Sequence, residues 1–134
     1  MKDETLSRMS LTEVSRAIVK RKVSSEEVVR NSLGQLDKHG SSLNCLARLF
    51  TENVLEAAKK ADQELASGNS RGLIHGVPLT HKDMFYRAGQ ITACGSKICE
   101  SYLPKNTATV LINLEQEGAL DLGRLNMVEF AWTD

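Results

Sequence analysis

The residue best placed to do chemistry in this chain is a lysine inside an apolar run. In Gly72-Leu73-Ile74-His75-Gly76-Val77-Pro78-Leu79-Thr80-His81-Lys82-Asp83-Met84-Phe85, Lys82 follows Val77, Pro78 and Leu79 and precedes Met84 and Phe85. A charged ammonium is costly to bury, so water-poor surroundings favour the neutral amine, which is a base. Lysines are mostly exposed, however, and an exposed lysine at a strand end is the ordinary reading of this stretch by itself.

Other chemistry-bearing residues are less organised. Asp83 and Glu129 have the types of an acid/base pair, but nothing in the sequence brings them together, and structural carboxylates are the simpler reading. Ser96 follows a glycine without forming the G-x-S-x-G elbow of a hydrolase. Gly72-x-x-x-Gly76 and Gly118-x-x-x-x-Gly123 lack either phosphate-binding form. Cys45, Cys94 and Cys99 are three in number without metal-ligand spacing, and reduced thiols in a cytoplasmic protein fit them best. His39, His75 and His81 are scattered, with no acidic partner at metal spacing.

These residues must be positioned by a domain of modest size. At 134 residues, 41% hydrophobic and 25% charged, the chain has the length and composition of one globular domain. Seventeen basic side chains balance seventeen acidic ones, and the aromatic share is 4%. Neither a phosphate-tracking surface nor a base-stacking platform is expected, so no direct contact with nucleic acid is indicated. No apolar run approaches the roughly 20 residues of a membrane span. Met1-Lys2-Asp3-Glu4 opens with charges of both signs and no apolar segment follows, which argues against a secretory signal.

Residues 10–22 read as an amphipathic helix with Leu11, Val14, Ile18 and Val19 inward, capped by Ser10 or Thr12. Ser24-Ser25-Glu26-Glu27 has the form of a capping box and starts a second helix, with Val28, Val29, Leu33 and Leu36 inward and His39-Gly40 as its stop. The two are expected to pack as a hairpin. A strand is predicted within Leu43 to Phe50, then a helix from about Glu52 to Ala66 that buries Val54, Ala58, Ala61 and Leu65. After the polar loop Ser67 to Gly72, Val77 to Met84 reads as a strand with Pro78 near its start. Turns follow at Arg87-Ala88-Gly89-Gln90 and Cys94-Gly95-Ser96. Asn106 or Thr107 can cap a helix with Val110, Leu111 and Leu114 inward, stopped by Gly118, and Ala119 to Gly123 is the next strand. Strand, helix, strand is the pattern of an α/β protein with parallel pairing.

The stretch from Gly72 to Asp83 resembles the G-x-x-H-G-[VI]-P-x-x-x-K-D block of the amidase signature family. The match continues in order through Gly95-Ser96, the helix opening Thr107-Ala108-Thr109-Val110, and Gly118-Ala119. It ends in Leu122-Gly123-Arg124-Leu125-Asn126-Met127-Val128-Glu129-Phe130-Ala131, which is similar to the family's L-G-K-x-N-M-x-E-F-A segment. Residues 72–131 carry the resemblance, and residues 1–70 fit the helical lead-in less specifically.

The resemblance implies an α/β/α fold, a mixed sheet covered by helices. Residues 1–70 would be the lead-in and 71–134 the start of the catalytic core, with the rest of the single domain absent. It implies hydrolysis of carboxamide C–N bonds by a Ser–cisSer–Lys triad, without metal or cofactor, in which Lys82 is the base. The family places both serines downstream of the N-M-x-E-F run, so the 134 residues by themselves are expected to be inactive. Two further readings stay open: the A subunit of a tRNA-dependent glutamine amidotransferase, which works with partner subunits, and a non-catalytic helical interaction module of amidase ancestry. The resemblance also offers Ala131 and Trp132 as walls of the pocket for a small amide substrate, with core packing as the alternative. Asp121 and His81 stand where the family usually has apolar residues, so Asp121 must be protonated, paired or exposed. Strand alternation turns His81 away from Lys82.

Overall fold

The computed structural model describes residues 3–132. Met1, Lys2, Thr133 and Asp134 lie outside it, and with them part of the charged amino-terminal run and the final residue. Five α-helices and three strands follow in the order α1 (Asp3–Leu6), α2 (Leu11–Val19), α3 (Ser25–Leu43), β1 (Leu46–Leu49), α4 (Thr51–Ala66), β2 (Pro78–Lys82), α5 (Thr109–Gln116) and β3 (Leu120–Leu125). The strands form one mixed sheet in the order β1-β3-β2. β2 and β3 are parallel, joined through α5, and β1 runs antiparallel to β3. This is the α/β architecture expected, with the mixed sheet that the resemblance implied.

Both early helices start where capping chemistry places them. Ser10 caps α2 and Ser24 caps α3, each through a reciprocal box with the glutamate three residues on. The inward face of α2 differs from the periodicity: Val14, Ala17 and Ile18 are buried, while Leu11 and Val19 are about half exposed. α3 does not stop at His39-Gly40. It runs on to Leu43 and ends at Asn44, which takes the left-handed conformation with φ of 47°. Gly40 is instead buried inside the helix, where a Cβ would lie 2.9 Å from the Leu46 side chain. α5 begins after Ala108 without a side-chain cap, because the Thr107 hydroxyl accepts a hydrogen bond from the Ala88 amide instead. Its inward residues are Leu111 and, in part, Leu114; Val110 faces out. Gly118 ends it as expected: the Gly118 and Ala119 amides return to the carbonyls of Glu115 and Leu114 in a Schellman arrangement.

Two hydrophobic clusters meet at α3, whose adjacent valines serve different cores. Val28 joins Val14, Ala17, Ile18, Val23 and Val77, so α2 and the start of α3 share a cluster on the entry to β2, while the main helical partner of α3 is α4 and not α2 as the expected hairpin had it. Val29 joins Val54, Ala58, Ala61, Leu120 and Leu122, which packs α3 and α4 against β3. A tertiary cap fastens this second contact. The Asp62 carboxylate of α4 accepts from the Ser25 and Glu26 amides at 2.7 and 3.1 Å, satisfying donors that the first turn of α3 cannot use internally. Asp62→Ala should lower stability by roughly 1 kcal/mol, read as a lower urea midpoint; an unchanged midpoint would show that Ser24 suffices.

Candidate active site

Lys82 is the last residue of β2, paired with Leu125 of β3. Pro78, which has no N–H to give a ladder, opens the strand. The expectation of water-poor surroundings for Lys82 is corrected here: its side chain is exposed. The apolar neighbours in sequence do not enclose it, since Val77 buries itself among the helices and Met84 is itself exposed. The amine donates a 2.7 Å hydrogen bond to the Asn126 backbone carbonyl, just beyond the end of β3.

The next residue is held far more firmly. Asp83 is buried, and its carboxylate pairs with Arg48 of β1 and accepts from the Ala93 amide at 3.1 Å. Its backbone donates to Leu125 at 3.2 Å and accepts from the Cys94 amide at 3.0 Å. Arg48 also donates to the Ile91 carbonyl at 2.7 Å. Glu129 takes a different partner, accepting from the Ser96 hydroxyl at 2.6 Å. Asp83 and Glu129 therefore serve separate structural contacts and do not make an acid/base pair. The buried Ser96 hydroxyl, its proton given to Glu129, also accepts from the Ile98 amide. The three cysteines are free thiols, and burial together with Cys99 and Asp83 pushes the Cys94 thiol upward, away from reactive thiolate character. No group of three His, Cys, Asp or Glu among the described residues can hold a metal ion.

Behind β2 lies a charge cluster. His81 turns toward β3, with its Nε2 3.8 Å from Asp121. Asp121 is paired: Arg124 approaches at 2.7 Å and Arg87 at 3.1 Å. Arg87 also meets Glu115 of α5, and Arg124, 1% exposed, reaches the Gln90 side chain and lies 4.9 Å over the Phe50 ring. His81 and Asp121, both at positions where the pattern described above is usually apolar, are thus neighbours in one network.

A cleft of about 390 Å³ opens past the end of β2 among Met84, Phe85, Tyr86, Cys94, Thr107 and Phe130. Ala131 and Trp132 stand outside its lining; both are exposed, Trp132 by 78%. Phe130 and Ala131 have φ of 50° and 59°, an uncommon left-handed pair. Sequence reasoning missed Arg48 and Asn126. Arg48 carried a signal, an arginine within a short apolar strand that needs a carboxylate to enter the fold; the carbonyl of Asn126 carried none.

Residues 27–133 match the family model described as Amidase. The chain belongs to the amidase family. It is 38% identical over 123 residues to the A subunit of the glutamyl-tRNA(Gln) amidotransferase of Pseudomonas fluorescens (strain SBW25), covering 92% of this chain and 25% of that protein. With the putative amidase AmiD of Mycobacterium bovis it shares 35% over 130 residues, 97% of this chain and 27% of the relative. Among solved structures, the native peptide amidase of Stenotrophomonas maltophilia aligns with a TM-score of 0.81 at 26% identity, over 92% of this chain and 26% of that one. An amidase family protein from Bacillus anthracis str. Ames aligns at 0.83 and 30%, over 96% and 26%. The chain thus spans about a quarter of the length of the curated relatives it matches. No helix among the described residues is long and apolar enough to cross a membrane.

Burial and the Arg124 charge hold the His81 imidazole below its ordinary value, against the opposing pull of the Lys82 carbonyl and Asp121. The unfolded chain then binds a proton that the folded one resists, so stability falls as pH drops below about 6.5. His75, buried and likewise held low, adds to the same slope. The carboxylates held low by capping or pairing, Glu13, Glu27 and Glu64, act at lower pH, below their ordinary 4.5. Urea midpoints across this range should fall toward acid, and His81→Leu should flatten the slope in part. An identical slope in that variant would remove His81 from the linkage.

Proposed function

We propose that residues 1–134 form the amino-terminal portion of one amidase domain, 1–70 the helical lead-in and 71–134 the start of the core, with Lys82 as the base of a Ser–cisSer–Lys triad. The supporting observation is the placement of Lys82: the end of a parallel strand, amine outward and fixed on the Asn126 carbonyl, in a chain of this family. In its neutral form the amine takes the proton of a bridging serine, which takes the proton of the nucleophilic serine. The nucleophile's O–H electron pair forms the new bond to the amide carbon as the carbonyl π pair moves onto oxygen; that pair then re-forms C=O, and the C–N bond breaks as the leaving nitrogen receives the proton held by the relay. Water then hydrolyses the acyl-enzyme by the reverse relay. On this reading both serines belong to the remainder of the domain in the parent protein. Small carboxamides are the substrate class, the compartment is the cytoplasm, and no cofactor is involved. Ala131 and Trp132, exposed and outside the cleft formed by these residues, are proposed as wall residues of the substrate pocket of the parent protein.

The second reading, an amidotransferase A subunit that draws ammonia from glutamine and works with partner subunits, is favoured by the 38% identity to such a protein over 92% of the chain. In the parent protein, ammonia release from L-glutamine and from simple primary carboxamides, with and without partner subunits, separates the two. In either case Lys82→Ala should lower kcat by about 10²–10⁴-fold with the melting midpoint retained, because an exposed side chain contributes little to stability. Near-normal turnover in that variant would remove Lys82 from the mechanism. A coding frame that stops at Asp134 would leave only the non-catalytic module.

A further inference from the structure

We infer that Asn126 is a positioning residue for the Lys82 amine. This rests on the reading of Lys82 as the base, and it concerns what aims that base. A lysine is a four-carbon stem with many rotamers, and Lys82 is exposed, so packing does not orient it. The only hydrogen bond its amine makes among the described residues is to the backbone carbonyl of Asn126, at 2.7 Å. That carbonyl orients the amine only if residue 126 is itself immobile.

Asn126 is held at two points. Its amide donates to the Cys45 carbonyl at 2.9 Å, extending the pairing of β3 with β1 by one residue. Its side-chain Nδ2 donates to the Asn44 carbonyl at 2.9 Å and lies 3.2 Å from Asn44 Oδ1. Asn44 in turn is the left-handed cap of α3, its amide bonded to the Gly40 and Ser41 carbonyls. The line of support therefore runs from the end of a 19-residue helix, through one side-chain amide, to the carbonyl beneath the amine. Every residue type has a backbone carbonyl; what asparagine adds at 126 is a side-chain donor of the right length to reach Asn44.

The chemistry explains why such a perch is useful. A neutral amine has two N–H bonds and one lone pair. Giving one N–H to a fixed carbonyl confines the lone pair to directions away from Asn126, on the side from which a serine hydroxyl must deliver its proton. A mobile carbonyl would leave the stem free to sample unproductive directions, lowering the reactive fraction without altering substrate binding.

The test uses the parent protein and ammonia release from L-glutamine and simple primary carboxamides. Asn126→Ala removes the donor. Asn126→Asp keeps the shape but sets an acceptor against the Asn44 carbonyl. Each should lower kcat by roughly 10- to 100-fold, with KM within about twofold and the far-ultraviolet spectrum retained. In a Lys82→Ala background, Asn126→Ala should leave the residual rate unchanged, because nothing remains to be aimed. Wild-type kcat in both single variants would overturn the inference, as would an equal proportional loss in the Lys82→Ala background, which marks general structural damage. Should Lys82→Ala alone leave turnover intact, the reading of Lys82 falls first, and this inference with it.

Discussion

The structure depends on burying β3 although that strand carries two charged residues. β3 is the central strand, paired on both sides, and it takes Arg124 fully and Asp121 partly inside with it. An unpaired charge there would cost several kcal/mol, and pairing alone does not recover the lost hydration unless the remaining donors are also used. Arg124 meets that condition with Asp121, Gln90, the Gly123 carbonyl and the face of Phe50. Asp121 also needs Arg87, which brings the loop after β2 and the end of α5 into the same cluster. The crossover from β2 to β3 is therefore fixed by charge as well as by Leu111 and its apolar neighbours.

Close approach at the centre of the sheet is a second constraint. Gly123 has φ of 156°, and a Cβ there would lie 2.3 Å from the Arg48 carbonyl. Register shifts fall in both neighbouring strands, between Leu46 and Arg48 opposite Arg124 and Leu125, and between Leu79 and Thr80 opposite Gly123. These irregularities set the phase in which Arg48 meets Asp83 and Lys82 reaches past β3 to Asn126. The site is thus built from the ends of three strands, and its precision comes from β1 and β3 more than from the strand that bears the lysine. The left-handed pair at Phe130 and Ala131 lies beyond the end of β3, with Phe130 on the wall of the cleft.

Much of this was legible in the sequence because the signals are local. The capping box of α3, a serine or threonine at the start of α2, the stripe of α4, the glycine after α5 and the proline near the start of β2 each act within a few residues, and each element formed where those signals lie. The ordered run from Gly72 to Ala131 was enough to recognise the family. The extension of α3 past Gly40 was not legible, since a glycine that signals a stop in isolation is here selected by the close approach of Leu46. The outward turn of Leu11, Val19 and Val110 was hidden for a similar reason: periodicity gives a face, and the surface packed against it decides how wide the buried part is.

What the sequence determined by itself was the class of the fold, the positions of its elements and the identity of the candidate base. What only the tertiary structure decided was every contact made across long separations. Asp62 caps a helix 36 residues away, Arg48 pairs with Asp83 across 35, and Asn126 fastens to Asn44 across 82. Such pairs have no periodicity and no fixed spacing, because their geometry exists only once the strands are in register. The exposure of Lys82 belongs to the same class: an apolar run in sequence does not enclose a residue unless the chain folds back over it.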